Sequence, residues 1–249
     1  MSKRLTDVLM AVWMPIAMVL AWWVFSVSVP SPYFPPLPRI LERLQELWLF
    51  AKVPTDLVPS LTIFALGYLT ALVIGISLGV LLAAVPYLEQ VVDPFLQFMR
   101  ALPGIALIPV FIVVLGIGME SKVAVVALGA LWPILLNTID GIRSTEPELV
   151  RTAKVYRFSK GTYVTRVMLS SAAPSIMAGA RTSLAIALVL TVGAELYAAT
   201  QGVGFFVLQS QQSFMIVDMW TGIIVLGVVG YLLTGLFTIL ERRFIFWVR

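Results

Sequence analysis

Several apolar runs of about 20 residues divide this chain of 249 residues, and no other feature limits its fold so strongly. In hydrocarbon every backbone N–H and C=O must be satisfied within its own segment, so such runs fold as helices that cross a bilayer. A membrane barrel would instead show alternating segments of about 10 residues, and none occurs. Charged residues make up 12% of the chain, half the share of an ordinary globular domain, about 25%. The fold class is therefore all-α, a polytopic membrane protein. Cysteine and histidine are both absent. That removes thiolate nucleophiles, disulfides and the commonest metal ligands and general base; no metal and no cofactor is expected. The net charge of +4 reports membrane topology rather than nucleic acid, since Lys and Arg gather on the cytoplasmic side of membrane helices.

Six membrane helices are predicted. The first covers about Val8–Val29, with Trp13, Trp22 and Trp23 as interface anchors. It is too long for a signal-peptide core and no cleavage motif follows. Proline density makes Pro30–Ile40 a stiff extended connector. From Pro38 to Phe50, Ile40, Leu41, Leu44, Leu47 and Trp48 recur at helical spacing between charges, an amphipathic helix on the outer surface or against the bundle. The second span runs from Ser60 to Val85. Its Gly75 and Gly79 allow close helix approach, within the bundle or to another copy. A short loop with Glu89 and Asp93 leads to a third span, Pro94–Gly116, interrupted by Pro103, Gly104 and Pro109. Broken spans are tolerated where they face protein or a water-filled cavity, so Pro103 and Pro109 are candidate pathway residues beside a plain proline kink. The fourth span is Val123–Thr138, the fifth Met177–Thr200 and the sixth Asp218–Leu240. Gln201–Phe214 is an outer loop.

Between the fourth and fifth spans, Gly141–Arg181 turns polar and basic, with Arg143, Arg151, Lys154, Arg157, Lys160 and Arg166. Eleven Lys/Arg, these six with Lys3, Arg4, Arg242, Arg243 and Arg249, fall on the side of the termini; Arg39, Arg43, Lys52 and Lys122 fall on the other. Both termini and the basic loop are thus expected in the cytoplasm. Thr145 is placed as a helix cap with Glu148 completing a capping box and Pro147 in the first turn. The helix would carry Leu149, Ala153 and Tyr156 on one stripe, with Arg151 and Lys154 on another side. An isolated helix of this length is marginal in water, so its apolar stripe calls for a partner, either the membrane surface or a protein. Ser159-Lys160-Gly161 ends it; a second helix covers Thr162–Leu169, and Pro174 and Gly179 punctuate the return to the bilayer. Asp140 can pair with Arg143 at i, i+3 or contact the basic loop. Glu195 lies within the fifth span, where a carboxylate is costly. It either faces the pathway or, the preferred reading, is a bundle-facing group bonded to neighbouring helices or the outer loop.

At this point a resemblance emerges. The basic loop resembles the cytoplasmic EAA loop of ABC importer permeases, and five further stretches are similar to the nitrate/sulfonate/taurine subfamily: Arg100–Lys122, Leu131–Arg143, Pro174–Leu184, Gly193–Phe205 and Ile239–Arg243. The resemblance spans nearly the whole chain. It implies one transmembrane domain, 1–249, with a core at about 58–243 and a coupling loop at 141–176, in the bacterial inner membrane. It implies a permease that is not itself an enzyme, working with two ATPase subunits, an extracytoplasmic binding protein and a second permease copy. The absence of G-x-x-x-x-G-K-[ST] agrees with a nucleotide site held elsewhere. The residues expected to couple to the ATPase are Glu148, Leu149, Arg151, Ala153, Lys154, Tyr156, Arg157 and Lys160. This chain departs from the family shape at Arg151-Thr152, where Glu-Ala is usual, at Arg157, where glycine is usual, and at Ser170, where proline is usual. The loop is more basic than the resemblance predicts, which implies a dedicated ATPase with complementary acidic residues. A secondary transporter, which would show intramembrane charge relays or inverted repeats, and a membrane anchor, which has no need of a broken span, are the competing classes.

Overall fold

The computed structural model describes residues 3–28 and 31–245; Val29, Pro30 and Arg249, used above, lie outside them. Among the described residues the chain is helical with no strand, apart from one isolated bridge between Ser31 and Phe34. The helices are α1 (Lys3–Ser28), α2 (Leu37–Trp48), α3 (Val58–Ala84), α4 (Pro86–Ala101), α5 (Ile108–Leu115), α6 (Met119–Arg143), α7 (Pro147–Val155), α8 (Lys160–Tyr163), α9 (Leu169–Ala198), α10 (Val203–Gln212) and α11 (Ile216–Phe244).

Four helical stretches are long and apolar enough to cross a membrane: Val53–Ala84, Met119–Arg143, Lys160–Tyr197 and Ile216–Arg243. α4 and the segment from Gly104 to Leu115 are apolar enough together but meet at 91°, the geometry of a broken span or a re-entrant loop, and make a fifth span only if counted as one. α1 is apolar over Ile16–Ser28 only, shorter than a spanning length, so among the described residues four or five spans stand where six were expected.

α6 is the centre of the bundle, packed along α3 on one side and α9 on the other. The small residues of α3 make the first contact possible. A Cβ on Gly75 would stand 2.8 Å from Ile134 Cγ2, and one on Gly79 would stand 2.6 Å from Thr138 Cβ. Gly75-x-x-x-Gly79 therefore serves packing inside the chain. Around this seam Phe64, Val126, Ala130, Ile134, Leu184 and Leu190 form the main core. Buried hydroxyls are absorbed locally: Ser183 donates to Ala130 O at 2.6 Å, and Tyr68 donates to Ala180 O at 2.8 Å.

α2 does pack on the bundle. Trp48 is buried, its ring edge-on to Phe206 and its Nε1 donating to Thr221 Oγ1 at 3.0 Å. Arg43 donates to both carboxylate oxygens of Asp218 on α11, at 2.7 and 3.1 Å. Those bonds, then the one to Glu46, raise the arginine's pKa. Of the tryptophans on α1, Trp22 packs on Trp220, ring centroids 4.8 Å apart, while Trp13 and Trp23 are exposed.

Four expectations are corrected. Glu89 and Asp93 lie within α4 rather than in a loop. Arg143 pairs with Glu89, not with Asp140. Gln201–Phe214 is largely helix α10, whose Val203, Phe206 and Ser210 are buried at helical spacing. α9 begins at Leu169 and continues from α8 through a π-helical turn, Val164–Met168, so Pro174 and Gly179 sit inside a helix. Packing overrides the breaker there, because Met168, Ala172 and Ile176 close a core with Ile142.

Candidate functional site

Three places carry the residues singled out by the sequence, and they lie at different depths of the bundle. At one end, α6 and α9 project a loop around α7. Pro147 biases the residue before it to extended backbone, and Glu146 accordingly has φ −55°, ψ 130° and takes the cap position. Thr145 is thereby displaced: its Oγ1 is buried with no partner, and no capping box forms. The expected stripe also divides. Ala153 is buried, while Leu149 and Tyr156 are exposed, as are Val155 and Phe158. Glu148, Arg151, Lys154, Arg157 and Lys160 all face outward. None of these basic residues enters an ion pair among the described residues. The result is an apolar patch of 42–79% exposed side chains set among four cations.

The end of α7 is a Schellman turn: Phe158 N–H donates to Ala153 O at 3.0 Å and Arg157 N–H to Lys154 O at 3.1 Å. It places Arg157 at φ 51°, in the left-handed region. Such backbone costs a side-chain-bearing residue about 1–2 kcal/mol. This is the position where glycine was anticipated by resemblance, so the arginine is held against its local preference. Arg157→Gly is expected to tighten the turn by about 1 kcal/mol, read as roughly fivefold slower hydrogen exchange at Phe158 N–H. Faster exchange would mean that the arginine side chain itself holds the turn.

At mid-depth the chain breaks between α4 and α5. Pro103 caps a short 3₁₀ turn, Gly104–Leu107, and lines a cleft of about 560 Å³. Pro109 falls in the first turn of α5, where its missing N–H costs nothing, and does not line the cleft. Arg100 does, which the sequence reading missed; its place three residues before Pro103 was the available signal. A second cleft of about 900 Å³ lies beyond it, lined by Lys122, Tyr197 and Thr200. Ala185 and Val189 in the first cleft, and Leu196 and Tyr197 in the second, follow one face of α9.

Glu195 stands at the end opposite the loop, 1% exposed, and lines neither cleft. Ser60 Oγ donates to its Oε1 at 2.6 Å and Gly204 N–H to its Oε2 at 2.8 Å. Val203 N–H donates back to Ser60 Oγ at 2.9 Å, and Gly202 N–H to Asp56 Oδ1 at 3.2 Å. Lys52 lies 3.3 Å from the other oxygen of Asp56. Gly202 has φ 121°, and a Cβ there would stand 2.5 Å from the Glu195 carboxyl carbon, so glycine is required on both counts. The group ties the starts of α3 and α10 to the end of α9.

The profile of the family described as binding-protein-dependent transport system inner membrane component matches residues 71–246. Among curated proteins, the chain is similar to a putative aliphatic sulfonates transport permease protein of Bacillus subtilis (strain 168), with 33% identity covering 94% of this chain and 86% of that protein. The taurine transport system permease protein of Escherichia coli (strain K12) is 31% identical, covering 91% and 85%. A bicarbonate transport system permease protein of Synechococcus elongatus is 29% identical, covering 99% and 90%. In fold the chain resembles a chain of the inward-facing MetNI methionine ABC transporter, with TM-score 0.68 and 20% identity over 76% of this chain and 94% of that one. On the family match and these relatives together, the chain belongs to the binding-protein-dependent transport system inner membrane components, the ABC importer permeases, within their nitrate/sulfonate/taurine subfamily.

Proposed function

We propose that two copies of this permease form a pathway for a small organic or anionic solute, and that the loop around α7 of each copy seats on one ATPase subunit. ATP hydrolysis belongs to that separate subunit; the permease is the translocation subunit. An extracytoplasmic binding protein delivers the solute. The loop and both termini lie in the cytoplasm, on the strength of the Lys/Arg distribution. The relatives named for aliphatic sulfonates, taurine and bicarbonate support the solute class.

One observation carries the reading. On α7 and its terminal turn, Leu149, Val155, Tyr156 and Phe158 are exposed together while Ala153 alone is buried. A short helix that turns most of its apolar side chains outward is stable as a docking element, not as an isolated one. Arg151, Lys154, Arg157 and Lys160 around it fit an ATPase groove rimmed by carboxylates, which makes the pairing selective.

The chain contains no cysteine, so one introduced thiol reports one contact. With Tyr156→Cys, a cross-link to a cysteine placed in the ATPase groove is expected, forming in the assembled transporter. Failure of Tyr156→Cys to cross-link in a transporter that hydrolyses ATP would refute the docking.

A further inference from the structure

Helix α4 hangs between two joints. At its start Val85 leaves helical backbone, with φ −128° and ψ 83°. At its end Leu102 and Pro103 are extended, with ψ 126° and 119°. A few non-helical residues at the ends of an element are enough to let it pivot. Between the joints one apolar stripe holds α4. Leu88, Val92 and Leu96 pack with Leu82 of α3 and with Trp132, Leu135 and Ile139 of α6, while Tyr87, Val91, Phe95 and Phe98 are exposed. Apolar contact is non-directional, so the stripe keeps α4 near α6 without fixing its tilt.

One directional bond fixes it. Glu89 lies in the first turn of α4 and Arg143 in the last turn of α6, and the two form an ion pair. The other carboxylates nearby are not partners of the guanidinium. Asp140, one turn before Arg143, enters no ion pair among the described residues, and Asp93 accepts from Gln97.

Arg143 is also joined stiffly to the loop around α7. Ser144 N–H donates to Asp140 O at 3.0 Å and Thr145 N–H to Ile142 O at 3.2 Å, so α6 passes without slack into Glu146, the cap of α7. Ile142 packs with Met168, Ala172 and Ile176 on the loop's other stem, which makes the two stems one body. α4 is outside that core. Its far end carries Arg100 and then Leu102 to the cleft, about 16 Å from Glu89 at 1.5 Å per residue.

We infer that Glu89 and Arg143 are positioning residues for transport. The pair braces α4 against the stem of the α7 loop, so that a shift of the loop swings α4 about Val85 and reshapes the cleft at the α4–α5 break. Rigid elements joined by a salt bridge carry such a shift. This rests on the docking reading above and names the route by which docking reaches the pathway.

The test uses the complete transporter in vesicles, with Leu102→Cys as the reporter in an otherwise cysteine-free permease. Trapping the ATPase with ATP and vanadate is expected to change maleimide labelling of that thiol at least about fivefold, the low end of ordinary coupling. Adding Glu89→Arg, which sets like charges against each other, should shrink the change to less than about twofold. Glu89→Arg together with Arg143→Glu reverses the pair and should restore most of it. Basal ATP hydrolysis and the Tyr156→Cys cross-link should stay at the parent level throughout, which a general loss of fold or docking would not allow. An undiminished response in Glu89→Arg, no rescue in the reversed pair, or no response in the parent reporter overturns the brace. Should Glu89→Arg fail to assemble, Arg143→Gln removes the cation without adding repulsion, and a full response there overturns the brace equally. Loss and rescue of the response without any Tyr156→Cys cross-link supports the brace and refutes the docking reading instead.

Discussion

Glu195→Ala is expected to open the end of the bundle opposite the loop and to lower the permease's thermal stability more than any other single substitution of a polar residue. The carboxylate accepts from Ser60 Oγ and Gly204 N–H, and no water reaches a residue 1% exposed. Removing it orphans Gly204 N–H, at about 1–3 kcal/mol, leaves Ser60 Oγ only its longer bond to Asp56 O at 3.1 Å, and opens a void where the side chain stood. The total is a large share of a protein's usual margin of about 5–15 kcal/mol. Because Ser60 also receives Val203 N–H, the damage spreads to the start of α10, which packs on Trp48 through Phe206. Glu195→Gln should lose less, since one oxygen still accepts one of the two donors, although its NH₂ then meets the other. Melting of the purified permease in detergent checks both. A midpoint for Glu195→Ala within about one degree of the parent would mean that the bonds to Ser60 and Gly204 do not hold α3, α9 and α10 together.

Much of this architecture was legible in the residues. The long apolar runs predict the spans of α3, α6, α9 and α11, and their positions agree to within a few residues except where packing extends a helix. α9 runs through Pro174 because Ala172 and Ile176 are buried against Ile142, a tertiary contact invisible to local propensity. The break near Pro103 was legible, but its 91° angle was not. Proline fixes only its own φ, and the direction taken afterwards is set by the walls of α6 and α9. α10 was missed because Gln201, Gly202 and the later glutamines suggested a loop. Its Val203, Phe206 and Ser210 were spaced for a helix, and that period was the better guide. Thr145 satisfied the pattern of a capping residue, yet Pro147 moved the cap to Glu146. Arg100 was overlooked because a sequence does not show that the chain bends after it and opens a cleft at its side chain.

The substitution with the largest expected effect on transport is the pair Leu149→Asp and Tyr156→Asp. Both side chains are exposed, 45% and 72%, and neither joins a core cluster, so the permease itself should fold and melt as before. Each change puts a carboxylate at the centre of the patch that meets the ATPase. There it must be desolvated on docking, at several kcal/mol, it draws on the loop's own cations that are proposed to meet the groove, and it faces the acidic rim, where like charges repel. Loss of two apolar contacts adds about 1.5–3 kcal/mol for each fully buried side chain. Docking weakened by this much is lost at ordinary working concentrations. A coupling free energy exists only if both sites bias the same two states, so the ATPase, left undocked, no longer answers to the other side of the membrane. The most direct measurement is ATP hydrolysis by the vesicle-reconstituted transporter with and without solute-loaded binding protein. Stimulation in the parent that falls to the unstimulated rate in Leu149→Asp/Tyr156→Asp, with unchanged melting of the permease, is the predicted result. Full stimulation in the double variant would contradict the account, because the ATPase would then be coupled through some surface other than α7.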